Sequence, residues 1–502
     1  MRKGAELLAA MISRFSPTRF RPSDGVIALL AAVGLAVYLA ASALLFRIGF
    51  PLDDAWIHQT YARNLAMLGE WAFIPGESSA GSTAPLWTAI LAPGYWLGLS
   101  PYTWTWMLGW AALCGIGLVS RRIFQQIQPE NPIVSLWVAI FIVLEWHLVW
   151  AAGSGMETLL FALIILVAFA GLFSERKRWF ELGLLVGISL WVRPDGLTLA
   201  GPVIFVATFG ESSWKSRIRA IGLFALGALI LAAPYLWFNR ALSGAWWPNT
   251  FFAKQAEYAI HRQQPLLNRF LQQTGMMLIG AGVVLLPGLF IQLQRSIRRR
   301  EWALLASAAW LLGFLLLYAI RLAVVYQHGR YVIPAMPVFF LISLAGLASW
   351  VKSKGDGLWK RVIGRAWALS LGLVWLAFFA IGARAYALDV AVIESEMVET
   401  AKWVVHHTDP DALIAAHDIG ALGYFAERRL IDLAGLVSPE VIPFIRDEAA
   451  LAAYMDENQV DYFVSFPGWY PELVVNRISV YSSNGPFSPM QGGENMQVFR
   501  WR

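Results

Sequence analysis

The sequence predicts a polytopic α-helical membrane protein of about eleven transmembrane helices, followed by a soluble α/β domain. Three observations predict it. Of 502 residues, 58% are hydrophobic and 14% charged, against about 25% charged in an ordinary soluble domain. Apolar runs of spanning length recur through the first three quarters of the chain. The charge balance then inverts: residues 1–383 carry a net +15 and residues 384–502 a net −9. This composition excludes a disordered chain. The basic residues sit in short clusters between apolar runs, which argues against a nucleic-acid partner. The single Cys114 cannot form an internal disulfide.

In chain order, a basic tail (residues 1–25, a cytoplasmic segment) precedes the run Val26–Phe46, too long for a signal-peptide core. Further runs are Thr103–Ser120, Pro132–Ala151, Thr158–Phe173, Ile218–Phe238, Met276–Gln294, Trp302–Ile320, Val332–Val351 and Ala366–Ala383. Phe180–Val192 and Leu197–Gly210 are a short pair split by Arg193-Pro194-Asp195-Gly196. Pro85–Leu99 is broken by Pro93 and Gly94 and reads as an interfacial helix. Lys and Arg concentrate in cytoplasmic loops. With Pro85–Leu99 not crossing, one side holds 22 Lys+Arg and the other membrane loops nine. The membrane module is therefore 26–383, with a long first external loop, 47–102, and an external domain, 384–502. In that domain Ala412–Ala416, Arg429–Leu433 and Val460–Ser465 read as strands, and Ile393–His406 and Asp447–Asn458 as helices, giving a mixed sheet.

Chemistry concentrates in the first external loop. Asp53 and Asp54 are adjacent carboxylates at the start of an amphipathic helix expected to lie along the interface, with Ile57, Tyr61, Leu65 and Leu68 on one face and Asp54 and His58 sharing another. A carboxylate there can act as a general base or bind a divalent cation. It can equally cap the helix, with Asp53 as N-cap and Asp54 as a first-turn anion. Gly76–Pro85, which includes Glu77 and Thr83, is rich in small residues that let a backbone approach a ligand or simply turn. Glu157 opens a helix at the membrane edge, facing a polar cavity or favouring the helix dipole. Arg193 could meet a phosphate or pair with Asp195. Lys254, and Arg330 with Tyr331, face the same side and could clamp an anionic headgroup or snorkel.

Several pieces together resemble GT-C glycosyltransferases, polytopic enzymes that use polyprenyl-phosphate sugars. They are Asp53-Asp54-Ala55-Trp56 through Tyr61-Ala62-Arg63-Asn64, Gly76-Glu77, Gly81–Trp87, Ser154–Thr158, Pro248-Asn249-Thr250 with Lys254, and Arg330-Tyr331 with Pro334. Asp418-Ile419-Gly420, Ile431-Asp432-Leu433 and Gly435-Leu436 are similar to the external domain of such proteins, and the arabinofuranosyltransferase-like branch is the nearest in pattern.

The resemblance implies transfer of a sugar from a polyprenyl-phosphate donor to a glycan, lipid or protein hydroxyl, at the outer face of a bacterial inner membrane. It implies Asp53 as the acceptor-activating base, with Asp54 as its partner or as ligand to a divalent metal such as Mg or Mn. Glu157, Arg193, Lys254, Arg330 and Tyr331 would sit around the donor, and His58, Glu77 and Thr83 on the acceptor side of the loop. The competing classes are a lipid-linked-sugar transporter or flippase and a non-catalytic envelope assembly protein. Transporter folds often carry internal repeats, and none is visible here.

Overall fold

The structure is a computed structural model that describes residues 22–352 and 357–502, with the Lys352 side chain left out. Most of the basic tail lies outside the described residues.

Among the described residues, six helices are long and apolar enough to cross a membrane, or eight if each of two bent pairs is one span. Three shorter apolar helices accompany them: Thr158–Phe173, Trp179–Val192 and Pro194–Gly210. This is an integral membrane protein. Proline starts several helices, at Pro85, Pro101 and Pro132, where its missing N–H costs nothing. Helices meet closely at glycines. A Cβ on Gly183 would strike the Phe224 carbonyl, and one on Gly227 the Phe180 carbonyl, so Trp179–Val192 and Trp214–Ser243 pack backbone to backbone. Gly288 and Gly346 do the same for Ala281–Arg299 and Met336–Lys352.

Four local expectations change. The run Pro132–Ala151 is broken, with Pro132–Val143 and Trp146–Gly153 meeting at 52°. The run Met276–Gln294 is not one straight helix. Leu266–Leu278 and Ala281–Arg299 meet at 104°, because Gly280 adopts φ +81° and lets the chain turn against Phe378. The helix expected at Ile393–His406 is not separate. Leu358–Ile393 continues through a π turn, Glu394–Val398, into Glu399–His407, since no Gly or Pro interrupts residues 384–407. Finally, the first-loop helix, Asp54–Met67, presents no wet face along most of its length. Ala55 to Ala62 are all buried, as is Asn64.

The helix Pro85–Trp96 buries one side of the first-loop helix, through Trp87, Leu91 and Ala92 against Ala62, and the C-terminal sheet region buries the other. A two-stranded ribbon, β1 (Ala72–Ile74) and β2 (Glu77–Ser78), follows the helix. The C-terminal sheet holds β3 (Leu413–Ala416), β4 (Arg429–Asp432), β5 (Tyr462–Ser465), β6 (Ile478–Ser482) and β7 (Gln497–Arg500) in the order β4-β3-β5-β7-β6. The first three are parallel, and β7 and β6 add antiparallel. The two-residue period splits its side chains between two cores. Ile414, Ala416, Leu430, Val464 and Val498 pack with Phe50, Trp56, Tyr61 and Phe73 of the first loop. Ala415, Ile431, Phe463 and Phe499 pack on the other face with Leu451 and Met455 of the helix Glu448–Glu457.

Candidate functional site

Five separate connections converge on one cavity of about 490 Å³. They supply Asp54, His58 and Thr83 from the first loop, then Met156 and Glu157, then Arg193 and Asp195, then Lys254, then Arg330 and Tyr331. Trp247, Phe251, Leu317 and Leu322 give it an apolar wall, and Leu436 closes it from the C-terminal region. Leu436 is fixed there because Asp432, at the end of β4, accepts the N–H groups of Ala434, Leu436 and Val437.

One end of the cavity is cationic around a single carboxylate. Arg330 Nη2 lies 2.6 Å from Asp54 Oδ2, and Lys254 Nζ lies 3.4 Å from it. Both cations also donate to the Tyr331 hydroxyl, at 3.0 and 3.1 Å. Burial alone would raise the Asp54 carboxyl, but Lys254 and Arg330 reverse this and hold it well below the usual carboxylate range. Arg330 is only 9% exposed. Its Nε and Nη1 are buried without a hydrogen-bond partner among the described residues.

The other end is a relay of buried charges. Glu157 sits 3.5 Å from His58 Nε2 and 3.7 Å from Arg193 Nη1. Arg193 is fixed in turn by Asp195 at 3.2 Å and the Tyr318 hydroxyl at 2.7 Å, and Tyr318 donates to Asp195 at 2.6 Å. Burial opposes ionisation of Glu157, yet His58 and Arg193 bring its carboxyl down to about 2. Its Oε2 accepts no hydrogen bond among the described residues. His58 Nδ1 faces Thr88 Oγ1 at 3.2 Å and Ser82 Oγ at 3.4 Å, which orients the ring.

Asp53 is placed elsewhere. It does not line the cavity. Its Oδ2 accepts from Gly420 N–H at 2.7 Å and its Oδ1 from Ala421 N–H at 2.8 Å. It makes no side-chain cap to its own helix. Gly420 has to be a glycine, since a Cβ there would meet the Asp53 carbonyl and lie 2.6 Å from Oδ2. Burial and the Asp418 carboxylate push Asp53 up to about 8, against the two amides that favour its anion. Glu77 is exposed on the β1–β2 ribbon, outside the cavity lining.

Sequence reasoning missed Tyr318 and the Gly420–Ala421 amides. Tyr318 stands in an otherwise apolar span with only its hydroxyl to mark it. Lys254, by contrast, is carried on a helix whose docking can be traced: Asn249 donates to the Leu436 carbonyl at 3.3 Å, and Glu257 meets His417 at 3.3 Å.

The residues around Asp54 do not fit a divalent metal. Two cations already hold its carboxylate, and no group of three His, Cys, Asp or Glu side chains suited to a metal occurs among the described residues.

A domain of unknown function (DUF8728) matches residues 375–499. No curated protein matches the chain by sequence. Solved structures match it in fold. ArnT from Cupriavidus metallidurans bound to undecaprenyl phosphate superposes with TM-score 0.62 at 14% identity, covering 95% of this chain and 98% of that one. The archaeal oligosaccharyltransferase AglB from Archaeoglobus fulgidus, in complex with an inhibitory peptide and a dolichol-phosphate, gives TM-score 0.59 at 10% identity over 88% and 71%. Arabinofuranosyltransferase AftD from Mycobacteria gives TM-score 0.54 at 14% identity over 94% of this chain and 39% of that one. At such identities the likeness speaks to architecture, and the architecture is the one the first-loop residues pointed to: this chain has the GT-C fold.

Proposed function

We propose that the protein is a membrane glycosyltransferase that moves a sugar from a polyprenyl-phosphate donor to an acceptor hydroxyl. The observation that carries this reading is the Asp54–Lys254–Arg330 cluster, where a carboxylate stands beside two cations in a cavity with one apolar wall. A lipid phosphate needs all three: cations for its head, an apolar surface for its tail, and a nearby base for the attacking group. Undecaprenyl phosphate bound to ArnT and dolichol-phosphate bound to AglB, both of this fold, add support.

The acceptor O–H gives its proton to Asp54, whose basicity recovers as Lys254 and Arg330 turn from it to the departing phosphate, and the acceptor oxygen bonds to the anomeric carbon. The bond from that carbon to the phosphate oxygen breaks, and its electron pair leaves with the phosphate. Lys254, Arg330 and the Tyr331 hydroxyl stabilise the charge that builds there. Glu157, whose position is fixed by His58 and Arg193, faces the sugar of the donor. Thr83 and His58 line the acceptor approach. Asp53 takes the role of positioning residue rather than base, because both of its oxygens are engaged away from the cavity. A metal at Asp54 would have to displace two cations from one carboxylate, so the transfer is derived without one.

The loops that converge on the cavity are the ones the Lys and Arg distribution assigns to a single side, which supports a site on the outer face with the sheet region outside. A bacterial inner membrane is the matching setting, with residues 26–383 as the membrane module and 384–502 as the external domain. The test is a panel of polyprenyl-phosphate sugars incubated with the purified protein, read as release of polyprenyl phosphate. A flippase would move such lipids without cleaving them, and an assembly protein would do neither.

A further inference from the structure

In the free protein the cations that would grip the donor phosphate are held by the chain's own carboxylate. Asp54 Oδ2 is within 3.4 Å of Lys254 Nζ and 2.6 Å of Arg330 Nη2. Other charged or titratable groups act on or near it from every packed element. Asp53 and His58 lie on its own helix, Tyr258 follows the Lys254 helix, Tyr331 adjoins Arg330, and Asp418 comes from the loop after β3.

Charge counting gives this arrangement a direction. Lys254, Arg330 and ionised Asp54 sum to one net positive charge. A sugar–phosphate–lipid diester carries one negative charge, so donor and cluster match. Transfer turns the diester into a monoester of nearly two negative charges near neutral pH. The same step puts the acceptor's proton on Asp54, so the cluster becomes doubly positive and matches its product. When Asp54 loses that proton, a carboxylate and a near-dianionic phosphate compete for the same two cations in a half-buried site, where repulsion is poorly screened.

We propose, on the donor-phosphate reading of this cavity, that the proton taken by Asp54 controls retention of the lipid phosphate: protonated Asp54 holds the product, and its deprotonation expels it. Asp54 is then both acceptor base and product-release switch, and Lys254 Nζ and Arg330 Nη2, which it holds in the free state, pass to the phosphate while it stays.

The experiment measures binding of undecaprenyl monophosphate, and of its methyl phosphodiester as a singly charged probe, to the full chain in lipid nanodiscs at pH 8. Asp54→Asn mimics the protonated carboxyl and leaves every other group in place. It is expected to bind the monophosphate at least about tenfold tighter than the parent protein, and the diester with a smaller gain. Asp54→Ala serves as the second variant and should also gain for the monophosphate. Monophosphate binding by both variants that equals or falls below the parent's overturns the switch while leaving the transferase reading intact. Unchanged monophosphate binding in Arg330→Gln and Lys254→Gln removes the phosphate subsite, and the transferase reading falls with the switch.

Discussion

Asp53 and Asp54 are neighbours in sequence, yet their surroundings are opposites. Asp54 faces the cavity and is held by two side-chain cations from distant loops. Asp53 points into the C-terminal region and is held by two backbone amides. Burial pushes both carboxyls up. Cations overrule it for Asp54, and amides fail to overrule it for Asp53 beside Asp418. The difference teaches that an acidic pair need not be a functional pair: one carboxylate meets the site's contents, and the other joins two parts of the protein.

The sharpest way to break this comparison is substitution at both positions. Asp54→Asn removes the counter-charge of Lys254 and Arg330, so it should lower the thermal unfolding midpoint, and the folded protein should lose turnover by about 10²–10⁴-fold, the usual cost of losing a general base. A folded but inactive Asp53→Asn beside a near-normal Asp54→Asn would exchange the two roles. Next in size, Arg330→Gln should cut turnover by on the order of 10²–10³-fold in kinetics with a polyprenyl-phosphate sugar, as loss of a charge-stabilising donor does. A change in KM alone would make Arg330 a ground-state contact only.

Glu157→Gln tests the other end of the cavity through stability. Breaking a buried charge cluster costs about 3 kcal/mol, which denaturant unfolding at pH 7 would read. The folded carboxyl is depressed to about 2, so its contribution is present above the ordinary carboxylate range and is lost as pH falls through about 2. Parent and variant should therefore converge in acid. A gap that persists at pH 2 would assign the effect to packing. The smallest effect is expected at Gly420→Ala, where overpacking against Asp53 should cost about 1–3 kcal/mol in unfolding experiments. An unchanged midpoint there would mean the socket yields, and Asp53 positions nothing.

Much of this was legible in the sequence. The apolar runs located the helices, and the strands Leu413–Ala416, Arg429–Asp432 and Tyr462–Ser465 followed from short buried runs between turn signals. Lys254, Glu157, Arg193 and Arg330 were marked because a charge at a membrane edge needs a reason. What was not legible depends on contacts that no local pattern encodes. β6 and β7 are short, and β6 is mostly uncovered, so neither has a clean alternation. The 104° bend turns on the φ of one glycine. The assignment of Asp53 and Asp54 to different partners is set by a segment more than 360 residues away.

That separation matters for how the protein comes into being. Asp53 waits for Gly420, 367 positions later in the chain. At a synthesis rate of about 5–20 residues per second, the aspartate exists for roughly 20–70 s before its socket has been made. During that interval the first-loop helix, with Trp56 and Tyr61 on it, lacks the sheet core that later buries it. A nascent chain therefore leaves Trp56 and Tyr61 without their final packing partners until its last quarter has been made.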